Sequence, residues 1–196
     1  MRSPMLRAAE RALLTIGALC MAVVAGAELR AWRFARSEDA RLRPLLQGVD
    51  APSAGRARAA ARPGRTFGRL EFPERGYSAL VAEGVDDDTL RLAVGHLPAS
   101  AFPGERGNVA LAGHRDSFFR VLKDVGTGEE VRFRTPDGVF SYRIESRSVL
   151  EPSRVDVVAA RADAPLLTLV TCYPFGYIGS APLRYVVRAR QQPHRR

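Results

Sequence analysis

Two side chains of this sequence could form a nucleophile and base, and a third could hold the charge such a pair creates. Cys172 ends the short apolar run Leu166 to Thr171, just ahead of Tyr173-Pro174. A thiol attacks as its thiolate, and with a free pKa of about 8.5 it is mostly protonated at neutral pH, so it needs a base or cation nearby. His114 is the candidate base. It follows the apolar run Asn108 to Ala112 through a single glycine, which places it, like Cys172, at a strand's end. Cysteine with histidine is the minimal apparatus for acyl transfer, the imidazole carrying the proton. Arg184, near the start of the run Leu183 to Ala189, is always protonated and suits an oxyanion or a substrate backbone. Arg188 and Arg190 share its strand face under a period of two, but they lie further from the cysteine end and read as solvent-facing. His96 reads as a structural residue in a loop, and His194 as part of the tail.

The elements that must position these groups are short. Phe67 to Phe72 alternates, Pro73-Glu74-Arg75-Gly76 turns, and Tyr77 to Ala82 is a second strand. Asp86-Asp87-Asp88-Thr89 caps a brief helix over Leu90 to Val94, a reading preferred to a cation site because carboxylates suit a helix N-terminus. Val131 to Arg134 and Val139 to Leu150 flank Thr135-Pro136-Asp137-Gly138, a hairpin turn. Proline cannot donate to a ladder, so Pro174 stops the cysteine strand. Seven or eight strands with little helix predict one small β-barrel or sandwich, in which side chains at strand ends can meet at one rim.

Ahead of this part, Arg2, Arg7 and Arg11 precede an apolar run from Ala12 to Ala27. At about 1.5 Å per residue that run gives about 24 Å, and Leu29, Ala31 and Trp32 extend it toward the roughly 30 Å of a hydrocarbon core. The positive flank predicts a cytoplasmic N-terminus, and the length of the run with helix-friendly residues continuing past Ala27 favours an uncleaved anchor. The alternative is a signal peptide cleaved at Ala25-Gly26-Ala27. Both put the remainder outside the cytoplasm. The expected organisation is a basic segment over 1–11, a transmembrane anchor or signal peptide over 12–32, a flexible stalk over 33–65, a catalytic domain over 66–190 and a tail over 191–196. Outside the cytoplasm an unpaired thiol is an oxidation liability, so Cys172 asks for a use. Cys20, in the apolar run, reads as a small hydrophobe among lipid tails.

The formal charge of +9 comes almost wholly from arginine, Lys123 being the only lysine. These charges are scattered rather than gathered on one face or interleaved with aromatics, so a nucleic-acid partner is not expected. His114-Arg115-Asp116 lacks the downstream asparagine and the phosphate loop of a kinase. Gly126-Thr127-Gly128 is a turn, not a dinucleotide fingerprint.

Thr168-Leu169-Val170-Thr171-Cys172 matches the sortase signature Thr-Leu-x-Thr-Cys, and Ala112-Gly113-His114-Arg115-Asp116 resembles the sortase histidine motif. Arg184 stands where the family's arginine stands, and the similarity runs from about Phe67 to Arg190, looking most like class D. The resemblance implies a mainly β fold: a single closed eight-stranded barrel with short helices, behind an N-terminal transmembrane helix and a stalk. It implies a cysteine transpeptidase at the outer face of a bacterial cytoplasmic membrane. Cys172 would attack a C-terminal sorting signal of the Leu-Pro-x-Thr type. His114 would protonate the leaving amine, while Arg184, helped by Thr171, would hold oxyanion and substrate. The implied partners are a protein bearing the sorting signal and an amine acceptor in the envelope or on another subunit. Some sortases use calcium, but no acidic cage is evident, and neither metal nor cofactor is expected. The alternatives are a cysteine hydrolase of envelope peptides and a non-catalytic binding barrel.

Overall fold

A computed structural model describes residues 4–47, 55–159 and 164–193; His194 lies outside them. The chain forms two compact units, Met1–Ser37 and Glu38–Arg196. In the first, helix α1 (Pro4–Leu46) begins, and it is long and apolar enough to cross a membrane. Leu13, Leu14, Ile16 and Leu19 all stand exposed on it, as residues facing lipid do.

The second unit is a closed eight-stranded β-barrel. Its strands are β1 (Thr66–Phe72), β2 (Tyr77–Glu83), β3 (Val94–His96), β4 (Asn108–Ala112), β5 (Glu130–Thr135), β6 (Gly138–Leu150), β7 (Leu166–Tyr173) and β8 (Leu183–Gln191). Around the barrel they run β1-β2-β3-β4-β7-β8-β6-β5. Only β2–β3 and β4–β7 pair in parallel; the rest are antiparallel. Alternation does the work predicted of it: Phe67, Leu70, Leu111, Phe133, Tyr142, Leu167 and Leu169 point inward and are fully buried. Each such side chain contributes roughly 1.5–3 kcal/mol of transfer free energy.

Three details depart from the sequence expectations. The short strand β3 was not expected, and it carries His96, which was placed in a loop. Three residues are too few to show a period. What makes β3 a strand is its place between β2 and β4, where Gly95 pairs with both Ala82 and Ala112. The acidic triplet does start a helix, α3 (Asp87–Leu92), a few residues earlier than expected; Asp86 is its cap, accepting from the Thr89 N–H at 3.0 Å and hydroxyl at 2.8 Å. Within the stretch expected to be a spacer, Glu38, Leu42 and Ala57 are buried. The short helix α2 (Arg56–Ala60) is tied to the β5–β6 turn, where the buried Asp137 carboxylate accepts from the Arg56 and Ala57 N–H groups at 2.9 and 2.6 Å.

The crowding around β3 yields a sharp expectation. A Cβ on Gly95 would stand 2.3 Å from the Gly84 carbonyl oxygen and 2.8 Å from Leu90 Cδ2. The first contact is with backbone and cannot swing away. Gly95→Ala is expected to destabilise the fold by about 3 kcal/mol, lowering Tm by roughly 10 °C, measured by thermal unfolding of the full chain with circular dichroism. An unchanged Tm would mean that β3 is not packed against the Gly84 turn.

Candidate active site

β4, β7 and β8 lie side by side, and their register sorts side chains into rows. Ala110, Thr168 and Arg188 stand opposite one another; then Ala112, Val170 and Val186; then Cys172 opposite Arg184. The residues between them, Val109, Leu111, Leu167, Leu169, Val187 and Ala189, belong to the core. The rows therefore project outward, because successive side chains of a strand point to opposite faces.

His114 comes to the cysteine row from β4. The ladder runs one step past Ala112, the Gly113 N–H donating to the Val170 carbonyl at 3.2 Å. The Thr171 hydroxyl donates to the Gly113 carbonyl at 2.7 Å. His114 thus leaves the sheet alongside the Thr171–Cys172 end of β7. Its own carbonyl then accepts from the Phe119 N–H at 3.0 Å, closing a tight turn over the fully buried Phe119. Only glycine suits position 113, since a Cβ there would stand 2.9 Å from the Phe119 ring. Cys172 is a free thiol, and both it and His114 are half-buried, open enough to be reached. Thr171 is only 3% exposed; with its proton given to Gly113, it joins the histidine loop to the cysteine strand.

Arg184 lies at the end of an apolar groove of about 220 Å³ whose floor is the middle row, Ala112, Val170 and Val186. Val85 and Leu97 stand on one side, and Val157 and Val158, from the connection between β6 and β7, on another. The Arg184 Nη1 donates to the carbonyls of Ala181 and Leu183 at 3.2 and 3.0 Å, which fixes the guanidinium at the foot of β8. Of the three candidates only Arg184 lines this groove; Cys172 stands opposite it, one row beyond the floor, with the turn that bears His114 bonded to the neighbouring Thr171. Thiol, imidazole and guanidinium are the groups that acyl transfer can use as nucleophile, proton carrier and cation for a developing oxyanion.

The sequence model of the sortase domain matches residues 70–192. This chain belongs to the sortase family. It is 34% identical over 128 residues to Sortase D of Bacillus subtilis (strain 168), a match covering 65% of this chain and 65% of that relative's length. A solved Sortase D5 transpeptidase from Clostridium perfringens superposes with a TM-score of 0.67 at 26% identity, covering 82% of this chain and 99% of that one. Sortase E1 from Streptomyces coelicolor, solved with a tripeptide in the active site, gives a TM-score of 0.60 at 27% identity over 68% and 92% of the two chains.

Some features of the sortase domain escaped the sequence reading. Arg115, beside His114, donates from Nη2 to the Tyr177 and Gly179 carbonyls at 2.5 and 3.1 Å, and so holds the β7–β8 loop against the histidine turn. Tyr173, Phe175 and Tyr185 form an aromatic cluster behind the thiol, with ring centroids 5.3 to 6.1 Å apart. Tyr173 and Phe175, just after the cysteine, were the available signal; Tyr185 joins them from β8. Arg188 is not the solvent-facing residue expected: it is half-buried and donates to the Val157 carbonyl at 3.4 Å. The cause is the β6–β7 connection, which folds over this part of β8. Arg190 is exposed and pairs with Glu145. His96 is fully buried between the Phe67 and Phe102 rings, its Nδ1 2.8 Å from Glu83 Oε2 and its Nε2 3.0 Å from the Ala101 carbonyl. Among the described residues, no three His, Cys, Asp or Glu side chains cluster as metal ligands would.

Proposed function

We propose that this sortase is a membrane-anchored cysteine transpeptidase acting at the outer face of a bacterial cytoplasmic membrane. One observation carries the reading: Cys172 stands opposite Arg184 in the register of β7 and β8, with the turn bearing His114 bonded alongside.

In the proposed mechanism the Cys172 sulfur, as thiolate, adds to a substrate carbonyl carbon. The carbonyl π-pair moves to oxygen, and the Arg184 guanidinium offsets that charge. When the intermediate collapses, the C–N bond breaks, His114 gives its proton to the departing amine, and a thioester remains. A primary amine then adds to the thioester and yields a proton to His114, and the thiolate leaves as the new amide forms. The amide count is conserved, so no outside energy source is needed. Thr171 keeps the histidine turn in place beside the thiol through Gly113.

The groove supports a substrate of the Leu-Pro-x-Thr type. Its floor lies one row, two residues, from the thiol, about 6.7 Å along a strand. An extended peptide cleaved at Cys172 would lay the residues upstream of its scissile bond there, and an apolar floor suits Leu and Pro. The acceptor would be an amine of the envelope or of another subunit. Helix α1 supports a single-pass anchor, with the barrel following it outside.

The test is mass spectrometry of the full chain incubated with a library of C-terminal sorting peptides, with and without triglycine. The expected result is a thioester adduct on Cys172 that triglycine discharges faster than water does. An adduct on another residue overturns the site. Discharge at one rate regardless of amine makes the protein a hydrolase.

A further inference from the structure

Beyond the apolar floor of the groove, further from Cys172 along the strands, lies a polar cluster with no part in the proposed chemistry. Thr168, fully buried, donates from Oγ1 to Asn108 Oδ1 at 2.7 Å. Asn108, 2% exposed, donates from Nδ2 to the Val157 carbonyl at 3.1 Å. Arg188 reaches the same carbonyl from β8. Asparagine offers one acceptor oxygen and one amide donor. With the oxygen turned to the threonine and the amide to Val157, each serves a different partner. The relay thus crosses from β7 through β4 to the short helical turn Val155–Val158, with β8 closing it from the other side.

A pair of aliphatic residues could fill the same space without desolvating a hydroxyl and an amide. What the polar pair adds is direction, since a hydrogen bond fixes one carbonyl at one place whereas apolar packing tolerates sliding. The carbonyl so fixed belongs to Val157, and Val157 and Val158 form a wall of the groove that ends at Arg184.

We infer that Asn108 and Arg188 are positioning residues for substrate selection, holding the Val157–Val158 wall against which the aliphatic residue of the peptide packs. This rests on reading the groove as the sorting-signal site. Thr168 and Arg188 stand two rows from Cys172, beyond the floor, so the relay acts on the upstream residues of the peptide and leaves the reacting atoms alone. Losing it loosens binding without slowing the chemical step.

Two variants separate the bonds. Asn108→Asp keeps an oxygen to accept from Thr168 and removes the donor to Val157; Arg188→Met keeps the apolar stem and removes the guanidinium. The probes are an internally quenched Leu-Pro-x-Thr peptide, x being the residue best cleaved in the library, and its analogue with Leu replaced by Ala. Each variant of the full chain is expected to raise KM for the parent peptide about fivefold with kcat within twofold. The wild-type preference for Leu over Ala in kcat/KM should fall by about the same factor. Amide exchange at Val157 and Val158 should quicken about tenfold, while alkylation of Cys172 by iodoacetamide keeps its wild-type rate. A fall in kcat at constant KM, or unchanged exchange at Val157 and Val158, overturns the inference. The exchange measurement needs no peptide. If the wild type cleaves none, the transpeptidase reading fails on its own and the anchoring of the wall is still decided. Should Asn108→Asp not fold, Thr168→Val with Arg188→Met carries the same readouts.

Discussion

Replacing Cys172 by alanine is expected to lower kcat/KM for a sorting-signal peptide by about ten-thousandfold or more without changing the fold. The magnitude follows from the covalent route. Without the sulfur there is no thioester, and what remains is whatever water attack the groove and Arg184 still favour. The fold should survive because Cys172 is half-buried near the end of β7, with Tyr173, Phe175 and Tyr185 packed behind it. His114→Ala should cost nearly as much, and adding it to Cys172→Ala should cost little more, because groups that act as a unit are not additive. Arg184→Ala should be milder, a loss of roughly a hundredfold to a thousandfold, since the guanidinium stabilises charge but forms no bond. Arg184→Lys should restore only part of it: the ammonium keeps the charge but is a compact point charge on a flexible stem, without the planar guanidinium whose Nη1 alone serves the Ala181 and Leu183 carbonyls. The measurements are cleavage kinetics beside far-UV spectra and melting of each variant. Cleavage that persists in Cys172→Ala at more than about a hundredth of the wild-type rate would remove the thiol from the mechanism.

The placement of the three candidates was only partly legible beforehand. Each could be named from its chemistry and its place at a strand's end, and the turn Thr135-Pro136-Asp137-Gly138 announced its hairpin, Thr135 pairing with Gly138. Local signals of this kind reach a few residues along the chain. The rows do not arise locally. The step from Ala112 to Val170 exists because β4 and β7 pair in parallel, and the bond that seats the histidine turn joins residues 58 apart. No period in the sequence encodes which residue of one strand faces which of another. The same holds for β3, a strand by virtue of its neighbours, and for Arg188, an ordinary strand arginine until the β6–β7 connection lies over it. The residues expected to form a spacer failed to announce their contacts for a related reason. Arginine- and alanine-rich sequence looks solvated, and what orders it is distant in the chain: Asp137 takes the Ala57 N–H from 80 residues away, and ahead of it a second carboxylate finds its partner Thr66 28 residues on.

That carboxylate, Glu38, supports the second large effect. It is 6% exposed and accepts from the Thr66 N–H at 3.2 Å, the Thr66 hydroxyl at 2.6 Å and Arg41 at 2.8 Å. Arg41 also donates to the Thr66 carbonyl, so the first residue of β1 is held on every polar atom it has. Glu38→Ala strands these donors around a cavity and is expected to cost about 3 kcal/mol, or roughly 10 °C in Tm. Glu38→Gln keeps the shape but loses the charge, and should cost about half as much. Burial by itself pushes this carboxyl up, but the hydrogen bonds from Thr66 and Arg41 outweigh it and hold it below the ordinary range. A group depressed in the folded state contributes its stability above the unfolded pKa, near 4.5, and loses it as pH falls through the folded value. The Tm gap between wild type and Glu38→Gln should therefore be full at pH 7 and shrink steadily below about pH 4.5. Glu105, Glu129 and Glu130 are also held low, each chiefly by the hydrogen bond from an arginine, and add to the acid lability of both proteins. They cancel in the difference, leaving Glu38 as its source. A gap that stays constant down to pH 3 would mean that the ion pair contributes nothing, and that only the shape of the side chain holds residues 38–46 to the barrel.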